Sequence, residues 1–458
     1  MTLGAPALDH RTVAEADGRH GPGVLAVHHG EVPLVEVSFH TPLRTDLTVS
    51  PGLAHALTAL LATVFPTAGH PNGTGAHEEE HSLELLAAHR GAQVDVAGYG
   101  TGLLWNFSLP VDDWQGFLLR AADLLAARTP ASVVASAREM VAAETELTLL
   151  DHDRLASAQV RALLDGTTHA APAPPGHTDS SAAREAEQLL ADRTPLGCLA
   201  LGTACFTAVG GFDTEELGSG LGAFVHSLRQ SGETARVPAP DPLHAPDAEP
   251  EPGPNSQATR HSTLFAGGGD TARLRMAWPA PRRDDPDYPA FFVAQHALGG
   301  GYRSRLMRRF RNELGWSYSP WSVVRHEPGR SFLEVDVEVP VRHLEAAKET
   351  LRATVAELSQ LPPQADELRR VIGTALGTAA AAMAPQRGLA ASLTHIRSLG
   401  LDTAWLWDWP RALDGVRPSD VIDVARRRLP LEDCVSVTVL PTGASAPSNP
   451  SHAPEASA

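Results

Sequence analysis

Two short stretches of this sequence carry residue types and spacings that could do chemistry. The first is His77-Glu78-Glu79-Glu80-His81. On a helix, histidines at i and i+4 lie on one face and can share a zinc ion, while a glutamate between them can take a proton from metal-bound water. The second is Leu298–Ser319, LGGGYRSRLMRRFRNELGWSYS. Its glycines, Gly299, Gly300 and Gly301, permit backbone conformations closed to residues with a Cβ. They open onto an arginine-rich run with Leu306, Met307, Phe310 and Leu314 at helical spacing, and Gly315 stands where a helix C-cap is expected. Within it Arg311 precedes Tyr318 by seven residues. A guanidinium gives several fixed donors and a phenol gives one more.

The glycine cluster, the Ser304-Arg305-Leu306 triplet and the Arg311/Tyr318 spacing together resemble the second-domain signature of the pitrilysin/insulinase zinc peptidases, family M16. The resemblance implies that Arg311 and Tyr318, with Gly299–Gly301, hold the substrate main chain and assist at the scissile carbonyl. It extends to VGGFDTEEL (Val209–Leu217), similar to a turn that follows a late first-domain strand in the family. The implied fold is α+β: two tandem M16/LuxS-like metallohydrolase-type domains, each an antiparallel-rich sheet covered by helices.

A catalytic member of that family carries H-x-x-E-H on its first long helix and a third, glutamate ligand further on. The local match here is PGLAHALTALLATVF, Pro51–Phe65. His55 stands at the first histidine, Thr58 at the glutamate and Ala59 at the second histidine. A threonine cannot act as a base near neutral pH, and alanine has no ligand atom. Glu144 and Glu146 remain at the expected region of the third ligand, so this degenerate motif offers at best a weak, adventitious site. The literal motif His77–His81 has the wrong context. It follows a loop, stands close before Gly91, and opens a helix expected from His77 to His89, where acidic residues suit the positive end of the dipole. We therefore read it as a coincidence of composition, with a relocated zinc site on His77, Glu80 and His81 as the alternative. The strand GAQVDVAG (Gly91–Gly98) also departs from the family, with Asp95 and Val96 in place of a small Asn-Ala pair.

The elements that must position these residues fall into two halves with a common order. Alternation suggests strand structure over Gly23–His40, and helical spacing marks Pro51–Val64 with proline at its start. Strands follow at Ala92–Val96 and Leu103–Leu109, then helices from Asp112 and Ala131. The second half offers strands at Ala272–Trp278, Ser331–Val339 and Cys434–Val439. Its helices are expected over Ala290–Leu298, the signature, His343–Leu358 and from about Gln364. Pro238–Ser256 is rich in proline and acid and gives a core nothing to bury. The expected organisation is 1–237, an M16-like domain with the degenerate motif; 238–260, a linker; 261–442, an M16-like domain with the Arg/Tyr pair; and 443–458, a low-complexity tail.

The bulk properties narrow the function classes. A chain of 458 residues exceeds one core. Its formal net charge of −17 argues against a nucleic-acid surface. The three cysteines show no metal-type spacing, the N-terminus lacks a signal-peptide layout, and no run is apolar enough to span a membrane. A cytoplasmic location is expected. The resemblance implies a non-catalytic, substrate-binding subunit of a heterodimeric M16B-type peptidase. The partner would be a homologue with an intact H-x-x-E-H, no cofactor would sit in this chain, zinc would sit in the partner, and the substrate would be an extended peptide. Activity is then expected only with the partner. Two other readings stand beside it: an active zinc peptidase using His77–His81, and a non-enzymatic peptide-binding scaffold.

Overall fold

The structure, a computed structural model, describes residues 23–29, 32–48, 51–67, 82–164, 181–231 and 260–443. Two five-stranded, mostly antiparallel sheets are covered by helices. Sheet 1 holds β1 (Val24–His28), β2 (Leu34–Pro42), β3 (Gln93–Tyr99), β4 (Gly102–Pro110) and β5 (Cys205–Gly210) in the order β1-β5-β2-β4-β3. Sheet 2 repeats that order as β6-β10-β7-β9-β8, from β6 (His261–Ala266), β7 (Thr271–Pro279), β8 (Trp321–Glu327), β9 (Arg330–Pro340) and β10 (Val435–Pro441). The β1–β5 and β6–β10 pairs are parallel and the rest antiparallel. Gly23–His40, expected as one alternating stretch, forms two strands.

The helices of the first half are α1 (Pro51–Val64), α2 (Leu83–His89), α3 (Trp114–Ala126), α4 (Ala131–Leu150), α5 (His152–Leu164), α6 (Ser181–Asp192) and α7 (Thr214–Ser231). Those of the second are α8 (Tyr288–Gly299), α9 (Leu344–Leu358), α10 (Ala365–Met383), α11 (Gln386–Ser398), α12 (Trp405–Asp414) and α13 (Pro418–Arg428). A wide-wound π-helical segment, Met307–Glu313, forms the signature. The helix expected from His77 begins only at Leu83, behind Ser82, whose extended backbone and side-chain oxygen cap it by accepting from Leu85 N–H. His77, Glu80 and His81 lie outside the described residues. So do the expected linker, apart from Arg260, which pairs with Asp433 at 2.8 Å, and the tail beyond Gly443.

Each sheet packs helices on both faces, so even polar positions of its central strands, such as Ser38, Thr207, Arg275 and Asp336, are buried. One face of sheet 1 packs Phe39, Trp105, Phe107 and Phe206 against Phe117 of α3 and Phe224 of α7. The matching face of sheet 2 packs Trp278 and Val335 against Phe291 of α8 and Phe310 of the signature. The opposite faces are covered by exchange. Helix α11, from the second half, lays Leu389, Leu393 and Ile396 on Leu25, Val27 and Val209 of sheet 1. Helix α5, from the first half, lays Leu155, Ala156 and Val160 on Ala277, Phe332 and Val437 of sheet 2. Among the described residues no helix is long and apolar enough to cross a membrane. Cys198, Cys205 and Cys434 are buried and take part in no disulfide among the described residues.

Candidate functional site

Helix α1 carries the degenerate motif on a scaffold that has closed over it. Thr58 is buried at 5% exposure, and its hydroxyl donates to the Ala54 carbonyl at 2.7 Å. Its methyl packs against Gly98 of β3, where an added Cβ would come within 2.9 Å. Ala59 is half-buried. His55 has an exposed outer edge, yet burial of the ring, and then the Arg161 charge, lower its pKa. On α4, Glu144 is exposed and pairs with Arg154 of α5 at 3.3 Å, and Glu146 is exposed. Zinc does not fit here. The base position is a hydroxyl already spent on its own helix, the second ligand position is a methyl, and the Glu144 carboxylate is paired elsewhere. Among the described residues no three His, Cys, Asp or Glu side chains converge.

The signature segment is ordered by its triplet. Ser304 accepts from Met307 N–H at 3.4 Å, starting the helix. Arg305 is buried at 5% exposure, donates to the Leu361 carbonyl at 2.9 Å and pairs with Glu367 at 3.4 Å. Leu306 fills the core beside Phe310. The triplet thus reads as cap, anchor and plug, and the anchoring role of Arg305 was invisible without its partners on the far side of α9. The winding widens at the end, where Leu314 N–H donates to Arg309 C=O at 3.1 Å, five residues back. That extra residue per turn carries Leu314, expected on the apolar side, to a half-buried position. Gly315 then takes φ +64°, a left-handed cap, and Trp316 N–H returns to Phe310 C=O at 2.9 Å.

This turn brings Arg311 and Tyr318 together at the surface. The guanidinium lies over the Tyr318 ring, 4.2 Å from its centroid, and its Nη1 donates to the Tyr318 carbonyl at 3.1 Å. The ring is 78% exposed. The glycine cluster serves this site by close approach and not by unusual dihedrals, since none of Gly299, Gly300 and Gly301 has positive φ. A Cβ on Gly299 would stand 2.4 Å from the amide nitrogen of Ser322, so only glycine lets α8 end against the start of β8. Gly300 lies against His296, and Gly301 faces open space.

The edges of the two sheets meet nearby. Tyr99, the last residue of β3, donates from its hydroxyl to the His326 carbonyl of β8 at 2.8 Å and lies 2.8 Å from Nδ1 of His395 on α11. His395 Nε2 is 3.4 Å from an Arg283 nitrogen, and His326 touches Ser331 and Tyr288. Burial pushes His40 and His395 down to about 4, and His326 further still. Asp95, on the exposed side of β3, is ion-paired with Arg387 of α11, and Val96 beside it is half-buried. Sequence reasoning missed this junction because its members are far apart in the chain; the rarity of tyrosine, four in 458 residues, was the available signal.

The same architecture occurs in a peptidase M16 inactive domain from Pseudomonas fluorescens, at 18% identity and TM-score 0.71, over 93% of this chain and 97% of that chain. A protease from Helicobacter pylori matches at 13% identity and TM-score 0.67, over 91% and 97% of the two chains. An M16-like peptidase from Alicyclobacillus acidocaldarius matches at 16% identity and TM-score 0.63, over 92% and 96%. The fold is therefore that of the tandem-domain M16-like peptidases. Residues 201–374 match the family model of the peptidase M16 inactive domain. No curated protein sequence matches the chain.

Proposed function

We propose that this chain is the substrate-binding subunit of a two-chain, M16B-type zinc peptidase that cleaves extended peptides in a closed chamber. A partner with an intact H-x-x-E-H would hold the metal. One observation carries the reading: the α1 turn has lost its base and second ligand while the Arg311–Tyr318 pair stays stacked at the surface with donors to spare. With Nη1 on the Tyr318 carbonyl and its face on the ring, the guanidinium is fixed in plane, and its remaining N–H groups can meet a peptide carbonyl. The Tyr318 hydroxyl adds a donor beside them. Donors held in place before substrate arrives cost no reorganisation during reaction.

The test is Arg311→Ala and Tyr318→Phe in this chain, reconstituted with a zinc-bearing homologue, with melting measured alongside turnover. Each variant should lose about 10²–10³ in rate with an unchanged melt. The double variant should resemble the worse single one, since the two residues act as a unit. Wild-type turnover in both would leave only a scaffold. Stoichiometric zinc and chelator-sensitive cleavage by the isolated chain would instead point to His77, Glu80 and His81.

A further inference from the structure

We propose that Tyr302, Arg303, Arg311 and Tyr318 form one face that selects acidic extended peptides; this rests on the peptide-binding reading above. The face is assembled by the closure of the segment 300–320. Gly299, where the segment leaves α8, sits against Trp321 and Ser322, where it returns, with an added Cβ 2.8 Å and 2.4 Å from their backbone atoms. Tyr302 stands three residues beyond that junction and Tyr318 three before it. At about 3.3–3.6 Å per residue, neither Cα can lie further than about 11 Å from the junction.

The tyrosines themselves divide cleanly. Tyr288 is 3% exposed and Tyr99 half-buried, whereas Tyr302 is 81% and Tyr318 78% exposed. Two large rings held out in water beside one junction are a ready apolar contact for a side chain or a peptide plane.

Charge says what kind of peptide. The chain carries a net −17, yet Leu298–Ser319 holds five arginines and a single acid, Glu313. Three of the five are matched: Arg305 by Glu367, Arg308 by Glu313 and Glu357, and Arg309 by Glu313. Arg303 and Arg311 have no carboxylate within ion-pair distance among the described residues. These two are the ones beside the exposed rings: Arg303 adjoins Tyr302, and Arg311 stacks on Tyr318. An acidic peptide would meet, at Arg303 and at Arg311, guanidiniums that no carboxylate among the described residues pairs, while neighbouring side chains lie on the rings. Exposed ion pairs are individually weak, so the expected preference is roughly ten-fold and falls with salt.

Three fluorescently labelled peptides of one length, identical except for a central Glu, Gln or Lys, should be titrated against the full chain by anisotropy at low and high salt. The Glu peptide should bind roughly ten-fold tighter than the Gln peptide, and the Lys peptide weakest. Arg303→Gln should abolish the ranking, and Tyr302→Ala should weaken all three alike. Both sites are exposed, and an unchanged melt would verify the fold. Equal affinities for the three peptides would overturn the acidic preference and leave peptide binding intact. Absence of binding to any peptide would overturn the peptide-binding reading itself. If the peptides fail and Arg303→Gln turns an oligomer into a monomer, the face belongs to the acidic surface of a second copy, and the proposal is wrong.

Discussion

Each sheet borrows a helix from the other half, and the two are held by different chemistry. The fifth residue of β2 is Ser38, paired across the sheet with Asn106; the fifth residue of β7 is Arg275, paired with Asp336. At the first position, Thr394 of α11 donates to the Ser38 carbonyl at 3.0 Å and lies 2.9 Å from the Thr207 hydroxyl, amid aliphatic side chains. At the second, the fully buried Arg275 reaches Asp153 and Ser157 of α5 and Asp336 of β9. Burial works against its charge, but Asp336 and then Glu334 outweigh it, and its pKa rises. A hydroxyl contact tolerates a shift of the helix above it. A guanidinium also reaches sheet 1, from Arg397 of α11 to the Phe206 carbonyl at 2.8 Å. The one on sheet 2, however, is locked between carboxylates of helix and strand, so α5 is fixed in register there, at a cost in desolvation.

That contrast makes unequal demands on substitution. Asp336→Ala leaves Arg275 buried without one of its two close carboxylates, the buried one, and should cost about 3–5 kcal/mol. Thr394→Val removes neutral hydrogen bonds from an apolar setting and should cost about 1 kcal/mol. Denaturant unfolding of the full chain measures both. Replacing Arg275 and Asp336 together by Met and Leu should be less damaging than Asp336→Ala alone, because no lone charge remains. Equal losses at Asp336 and Thr394 would erase the distinction between the two interfaces.

Local signals told most about what the sequence made legible. Pro51 opens α1, and Gly315 ends the signature at φ +64°. Gly91, at φ +63°, does the same before β3 that Gly315 does before β8, so the repeat of the fold is written in its caps. Arg311 and Tyr318 are singled out by seven residues of local chain, but their stacking on each other is seen only in the structure. The exchange of helices was not. The α5 sequence, HDRLASAQVRALL, is amphipathic, but which sheet takes its apolar face depends on Arg275 and Asp336, more than a hundred residues away. The Tyr99–His326–His395 junction is equally non-local. The π winding of Met307–Glu313 has no sequence signal that we recognise, and it moved Leu314 off the core.

The edge junction between the sheets sharpens the comparison through pH. His40 of β2 is buried, and its Nε2 has no hydrogen-bond partner among the described residues. His395 of α11 faces Arg283, and His326 of β8 faces Tyr288 and Ser331. The remaining charged or titratable neighbours are Glu327, Tyr99 and Cys205. Folding holds these histidines neutral with pKa values below the ordinary 6.5, about 4 for His40 and His395. The unfolded chain therefore takes up protons first, and the stability they give, complete above pH 6.5, is lost as pH falls towards 4. By pH 5 a fully buried histidine should have forfeited about 2 kcal/mol. Urea unfolding between pH 7.5 and 5 reads this loss, and His40→Leu should flatten the profile by one histidine's share. A profile flat across that window in the wild-type chain would show that the junction is wetter than its geometry implies.

The smallest effect should come from cutting the chain between the halves. A protease site placed within 240–256 would sever the covalent link yet leave both borrowed helices where they are. Held by Leu393 and Ile396 on one sheet and by Val160 and Arg275 on the other, the fragments should stay together. Cutting makes association of the halves bimolecular, so the unfolding midpoint should fall modestly and depend on protein concentration. The nicked protein should elute as one species of the parent size. Each fragment made alone should fail to melt cooperatively, because it exposes a sheet face that includes Val27 or Phe332, both buried to 1% or less in the intact chain. Halves that separate on gel filtration and keep their own cooperative melts would mean the exchanged helices are ornaments on two independent domains, and the difference between their interfaces would then carry no weight in stability.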